Sequence, residues 1–205
     1  MPSVTRRASR SPEHRSAVIA QVTTAVERLL ADGHGFTTLG VQRIADEAGI
    51  ARSTFYLYFP DKSALLVQVT ESATAELFAS AQEWLADGFA DLAALEHTLL
   101  EVIGQLRAHA EVYAALVEVA GYDEEVAAFW RARVAGFSDV LRARIEEGQR
   151  AGTIAAALDP AITAEWIAWG TERLIAQHTA IHPASEDARL ARGLATATWA
   201  TLGRT

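Results

Sequence analysis

Apolar residues return every three or four positions through nearly the whole chain, and no stretch alternates polar with apolar at a period of two. The first spacing lines up one face of a helix, whereas a half-buried strand needs the second. An all-α fold follows. The pattern divides into nine helical segments, at 13–31, 41–48, 52–59, 61–86, 91–108, 111–120, 123–149, 160–178 and 186–202. Their ends carry start and stop signals. Ser11 and Pro12 suit the opening of the first, and Gly33 its end. Phe59-Pro60 forces a stop, because the residue before proline is pushed out of helical geometry, and Asp61 then caps a long helix. Asp159-Pro160 combines a capping acid with proline in the first turn.

A length of 205 residues allows one or two compact units. The absence of cysteine removes disulfides, zinc fingers, iron–sulfur clusters and cysteine nucleophiles. No apolar run approaches the roughly 20 residues of a membrane span, and the Arg-containing start leads into no signal-like stretch. The expected setting is cytoplasmic, without a membrane partner. A net charge of −8 argues against a nucleic-acid ligand until it is divided by position. Residues 1–62 hold eight basic groups against six acidic ones, and residues 63–205 hold ten against twenty. Local field rather than total charge attracts phosphate, so a small contact module on an acidic body fits this asymmetry.

Residues 41–59, VQRIADEAGIARSTFYLYF, are laid out as a helix, a tight turn and a second helix. Ile44, Ala45 and Ala48 face inward, and Gly49 supplies the left-handed backbone that the turn requires. The small Ala45 and Ala48 let the second helix cross closely. That helix buries Phe55 and Phe59 and turns Arg52, Ser53, Thr54, Tyr56 and Tyr58 to the other side. A helix presented this way enters a major groove about 12 Å wide, with its first residues at base edges. Arg52 suits guanine O6 and N7, while Tyr56, Tyr58 and Lys62 suit phosphate oxygens. The amides at Gly40 and Val41, opening the first of the two helices, suit a phosphate, and Gln42 is balanced between phosphate and solvent. Arg6, Arg7, Arg10 and Arg15 form a basic N-terminal arm.

Ile44-Ala45, Ala48-Gly49-Ile50, Thr54-Phe55-Tyr56 and Tyr58-Phe59, closed by Lys62, resemble the DNA-binding domain of TetR-family transcriptional repressors. The helix before them and the Phe36–Thr38 turn are similar as well. The resemblance implies a nine-helix fold with the arm and helix-turn-helix in residues 1–60 and a ligand-binding and dimerisation domain in 61–205. It further implies a homodimer on a partly palindromic operator. Two positions depart from the family. Gly40 and Ala51 stand where Ser or Thr usually opens the two short helices, and alanine forgoes about 1 kcal/mol of capping.

In the acidic body, Trp130, Val134, Phe137 and Leu141 continue one stripe along 123–149. Leu95, Val102, Leu106, Tyr113 and Trp199 from other helices can join it, with Thr171 as a polar anchor. A mostly apolar pocket with few polar groups is what a small-molecule site requires. The segments Glu124-Glu125-Val126 through Trp130, then Thr171-Glu172-Arg173 and Trp199, are similar to the ethionamide-response repressor branch of the same family. That resemblance implies a tunnel-like pocket for an elongated hydrophobic effector and no cofactor. Thr171 stands where that branch has an amide side chain.

Ile162, Trp166, Ile167 and Leu174, with Leu190 and Leu194, offer more apolar surface than one subunit's core needs, and Gly170 and Gly193 allow close crossing. Paired across a twofold axis, the last two helices make a four-helix dimer contact. No nucleophile motif or glycine-rich phosphate loop occurs, and His178 and His182 lack a third ligand at suitable spacing, so neither an enzyme nor a metal site is expected. A ligand-released repressor is the leading reading. A helical carrier or interaction module whose recognition helix does not read DNA is the other, and Gly40 and Ala51 are the features that leave it open.

Overall fold

A computed structural model describes residues 12–86 and 91–203, so Arg6, Arg7 and Arg10 of the basic arm and Ser11 lie outside the described residues, while Arg15 lies within the first helix. Every regular element among them is helical. Helices α1 (Pro12–Ala31), α2 (Val41–Glu47), α3 (Arg52–Tyr58) and α4 (Lys62–Ala73) come first, with a short 3₁₀ turn at Phe36–Thr38. Then follow α5 (Ala75–Ala86), α6 (Leu92–Ala108), α7 (Ala110–Ala120), α8 (Glu124–Arg150), α9 (Pro160–Ile181) and α10 (Asp187–Thr201).

The described residues thus hold ten α-helices where nine were expected. The difference is the 61–86 segment, which breaks at Thr74 into α4 and α5. Thr74 is neither glycine nor proline, and the apolar spacing of Leu65, Leu66, Val69, Ala73 and Leu77 runs through without a change of phase. Periodicity therefore could not mark the break. Helix α9 also runs past the expected end at His178 to Ile181, where the backbone N–H of His182 closes it on the His178 carbonyl at 2.8 Å.

The chain condenses into two units. One comprises residues up to Ala73 together with Glu111–Ala127, and the other Thr74–Ala110 with Ala128 onward. Contacts group α4 and the 111–127 segment with the helix-turn-helix. In this first unit, α1 packs on α2 and α4, and α2 packs on α3. Its core holds Val22, Val26, Leu29, Phe36, Ile44, Phe55, Leu65 and Leu116. In the second unit, α6 packs against α5, α9 and α10, burying Leu95, Leu99, Ile103 and Leu106.

Aspartates cap most of the longer helices. Asp61 accepts from the Ala64 amide at 2.8 Å, Asp91 from Ala94 at 2.7 Å, and Asp159 from Ala161 and Ile162 at 2.9 and 3.1 Å. Asp123 caps α8 through Glu125 and Val126 at 3.0 and 3.2 Å. Each satisfies amides that a helix start leaves without partners. In the second unit, Arg107 donates Nε and Nη2 to the Asp187 carboxylate at 2.9 and 2.6 Å, and Nη1 to the Thr179 carbonyl at 3.2 Å. His178 Nε2 lies 3.3 Å from the same carboxylate, and its ring stacks on His182 at 4.7 Å.

Candidate functional site

The turn between α2 and α3 is built as its sequence requires. Gly49 takes φ +66°, its amide closes on the Asp46 carbonyl at 3.1 Å, and the Ile50 amide reaches back to Ala45 at 3.0 Å. These bonds satisfy the last carbonyls of α2 and turn the chain sharply, and only glycine takes this conformation without steric cost. Ile44, Ala45 and Ala48 are buried against the second helix. Phe55 anchors α3 with no exposed surface, its ring 5.3 Å from those of Tyr56 and Phe59.

With Phe55 and Phe59 turned inward, α3 presents the opposite face. Arg52 and Ser53 are exposed, Tyr56 is 47% exposed, and Thr54 and Tyr58 are half-buried. The Arg52 guanidinium lies 5.8 Å from the Tyr56 ring centre, and Arg15 of α1 lies 5.7 Å from that of Tyr58. Leu57, 76% exposed on the same short helix, was missed in the sequence reading. Its signal was an apolar residue at a position the helical period assigns to the outer face, and such a side chain suits a thymine methyl.

Gly40 and Ala51 do stand at the caps of α2 and α3, with extended backbone and no side-chain bond. Val41 is half-buried, and the exposed Gln42 donates to Asp46 one turn on at 2.7 Å. Because Ala51 already has cap geometry (φ −71°, ψ 146°), Ala51→Ser should add about 1 kcal/mol of stability. Urea unfolding reads this out, and no gain would mean the new hydroxyl fails to reach the Thr54 amide.

Lys62 is placed differently from its expected outward role. Its ammonium donates to the carbonyls of Phe36 and Thr37 at 2.8 and 3.0 Å and sits 5.0 Å over the Phe36 ring. Burial lowers its pKa, opposed by the Glu118 carboxylate. At the Phe36 carbonyl the Lys62 bond adds to the one from the Leu39 amide at 3.2 Å, using the oxygen's second lone pair. Lys62 therefore clamps the 3₁₀ turn. Thr37 extends the clamp, its hydroxyl bonding Glu118 at 2.7 Å and lying 2.9 Å from the Tyr122 hydroxyl. Ser63 donates to Asp123 at 2.5 Å, a bond that holds the Asp123 carboxyl below its usual range, helped by the amide of Val126. The 111–127 segment is thus bonded to the turn and to the start of α4 within one unit.

In the second unit, Leu95, Leu106 and Val134 are buried, while Val102, Trp130, Phe137, Thr171 and Trp199 are half-buried. Tyr113 belongs to the first unit and is buried there. Phe78 of α5, absent from the expected set, joins Trp130 and Phe137 of α8 with ring centres 6.1 and 6.4 Å apart, edge to face. Beside Thr171, burial pushes Glu172 up to about 7, with Arg173 opposing.

Along α9, Ile162 is 64% and Trp166 54% exposed, and Gly170 and Leu174 share that side. Ile167 is buried instead, because its position one residue past Trp166 turns it to the unit's own core. On α10, Gly193 is exposed and Leu190 and Leu194 are half-buried. Among the described residues no group of three or more His, Asp or Glu could hold a metal, and no helix is long and apolar enough to cross a membrane.

A buried phenylalanine holding a short outward helix after a glycine turn defines a helix-turn-helix domain. Residues 25–69 match the model of the bacterial regulatory proteins of the tetR family. Comparison with curated proteins finds no match. Among solved structures, a TetR transcription regulator from Haloarcula marismortui aligns with a TM-score of 0.73 at 20% identity, over 91% of this chain and 98% of its own. Salmonella enterica GusR aligns at 0.68 and 19%, over 91% and 96%. The transcriptional regulator FadR from Bacillus subtilis, solved with stearoyl-CoA, aligns at 0.66 and 17%, over 87% and 98%. At these identities the likeness establishes the fold: nearly the whole chain is built as these regulators are.

Proposed function

We propose that the protein is a DNA-binding transcriptional repressor, acting in the cytoplasm as a homodimer and released from a partly palindromic operator by a small hydrophobic effector. The observation that carries this reading is α3, held by the buried Phe55 while Arg52, Ser53 and Tyr56 face outward. Arg52 reads a base edge. Tyr56, Tyr58, Gln42 and the amides from Gly40 and Val41 position the helix on phosphates.

The exposed stripe of Ile162, Trp166 and Leu174 on α9 supports a twofold contact, since apolar side chains at this spacing gain little from facing water. The half-buried Trp130, Phe137 and Trp199 support an apolar effector site, and the likeness to ethionamide-response repressors supports an elongated one. The relay runs through Asp123: α8, which holds Trp130 and Phe137, starts right after a carboxylate bonded to Ser63. Effector binding favours a dimer whose recognition helices miss successive major grooves, about 34 Å apart, and shifts the population only by its differential affinity for the two states.

Salt titration on selected operator duplexes tests the reading. If about six phosphates are neutralised per dimer, log affinity falls with log salt with a slope of about −5. Weak binding that ignores salt would instead favour a carrier whose α3 does not read DNA. Arg52→Ala is expected to cost about 1–3 kcal/mol, concentrated at one operator position. An equal loss on every sequence would remove Arg52 from base reading.

A further inference from the structure

Arg133 lies on α8 in the acidic second unit. Arg107, Arg142, Arg144, Arg189 and Arg192 each hold a carboxylate within ion-pair distance. The Arg133 guanidinium lies instead 4.5 Å from the centre of the Phe78 ring, and its buried Nε has no hydrogen-bond partner among the described residues. A contact with an aromatic face engages the charge but none of the five N–H donors. Buried polar groups almost always find an acceptor, so an arginine of this kind among rings calls for an explanation.

The surroundings supply one. Phe78 also meets Trp130 and Phe137, and on α8 those two stand three residues before and four after Arg133, on the same helical face. Apolar surface and one planar cation with spare donors are brought together, in a stretch of sequence where acids outnumber bases twofold and repel anions elsewhere. A guanidinium presents paired N–H groups that match a carboxylate in two parallel bonds.

Resting on the effector reading above, we infer that this cluster selects apolar carboxylates: the tail lies on Phe78, Trp130 and Phe137, and the carboxylate binds Arg133. Thr171 is then not the sole polar anchor, and charge, rather than length alone, decides which effector is taken.

Calorimetry on the full-length protein with sodium octanoate and with 1-octanol tests this. Octanoate should bind at least tenfold more tightly than the alcohol of equal length. Arg133→Gln should remove that preference, and Arg133→Lys should keep part of it, because charge survives but the paired geometry does not. Equal affinity for acid and alcohol in the natural protein, no binding of octanoate, or a preference that persists in folded Arg133→Gln would each overturn the inference. Should Arg133→Gln fail to fold, the acid-to-alcohol ratio of the natural protein against that of Arg133→Lys decides, and an unchanged ratio counts against it. Release of a selected duplex is read separately. Octanoate that binds through Arg133 without releasing DNA leaves the anion site standing and sinks the regulator reading, whereas equal release by both compounds does the reverse.

Discussion

Phe55→Ala should destabilise the protein by about 3–5 kcal/mol, the usual cost of emptying a fully buried phenylalanine site. Phe55 has no exposed surface and touches the rings of both Tyr56 and Phe59. The seven-residue α3 is too short to persist by its own hydrogen bonds and depends on this anchor. Without a side-chain cap at Ala51 it has no local reserve either. Urea unfolding followed by circular dichroism measures the loss, and duplex binding should fall with it. A cost below about 1 kcal/mol would show that α3 is held by something other than Phe55.

Asp187→Ala should cost about 1–3 kcal/mol, because it removes two charge-assisted hydrogen bonds from a guanidinium that is only partly buried. Asp187 is buried and takes two bonds from Arg107, with His178 beside the same oxygen. Residues 80 positions apart are tied by these bonds, which join the end of α6 to the start of α10. Hydrogen bonding from Arg107, with its charge, holds the Asp187 carboxyl below the ordinary carboxylate range, against the opposing effect of burial. A depressed folded-state pKa gives stability that is complete above the ordinary carboxylate value and is lost as pH falls through the folded one. The natural protein should therefore lose stability on acidification more steeply than Asp187→Ala. Parallel acid limbs would show that the pair contributes no pH dependence.

Much of this was legible beforehand. The glycine turn, the inward Phe55 and Phe59 and the Asp159-Pro160 start depend on a few adjacent residues, and all stand as the spacing implied. What escaped the spacing involved partners far along the chain. Lys62 looked like an outward cation because nothing near it in sequence shows that the Phe36 and Thr37 carbonyls lie within its reach. Arg133 sat one residue from Val134 in the apolar stripe, yet only coordinates bring Phe78 beneath it. Ile167 was grouped with Trp166 by composition, and the turn of α9 separates them.

By itself the order of residues determined the helical class, the turn at Gly49 and the inward and outward faces of α3, since these follow from local backbone preference and a period of 3.6 residues. The tertiary structure alone decided the break at Thr74, the joining of Glu111–Ala127 to the first unit, and the pairing of Arg107 with Asp187. Such pairings depend on which distant groups the packed helices bring within about 3 Å of each other, and no local pattern encodes that distance.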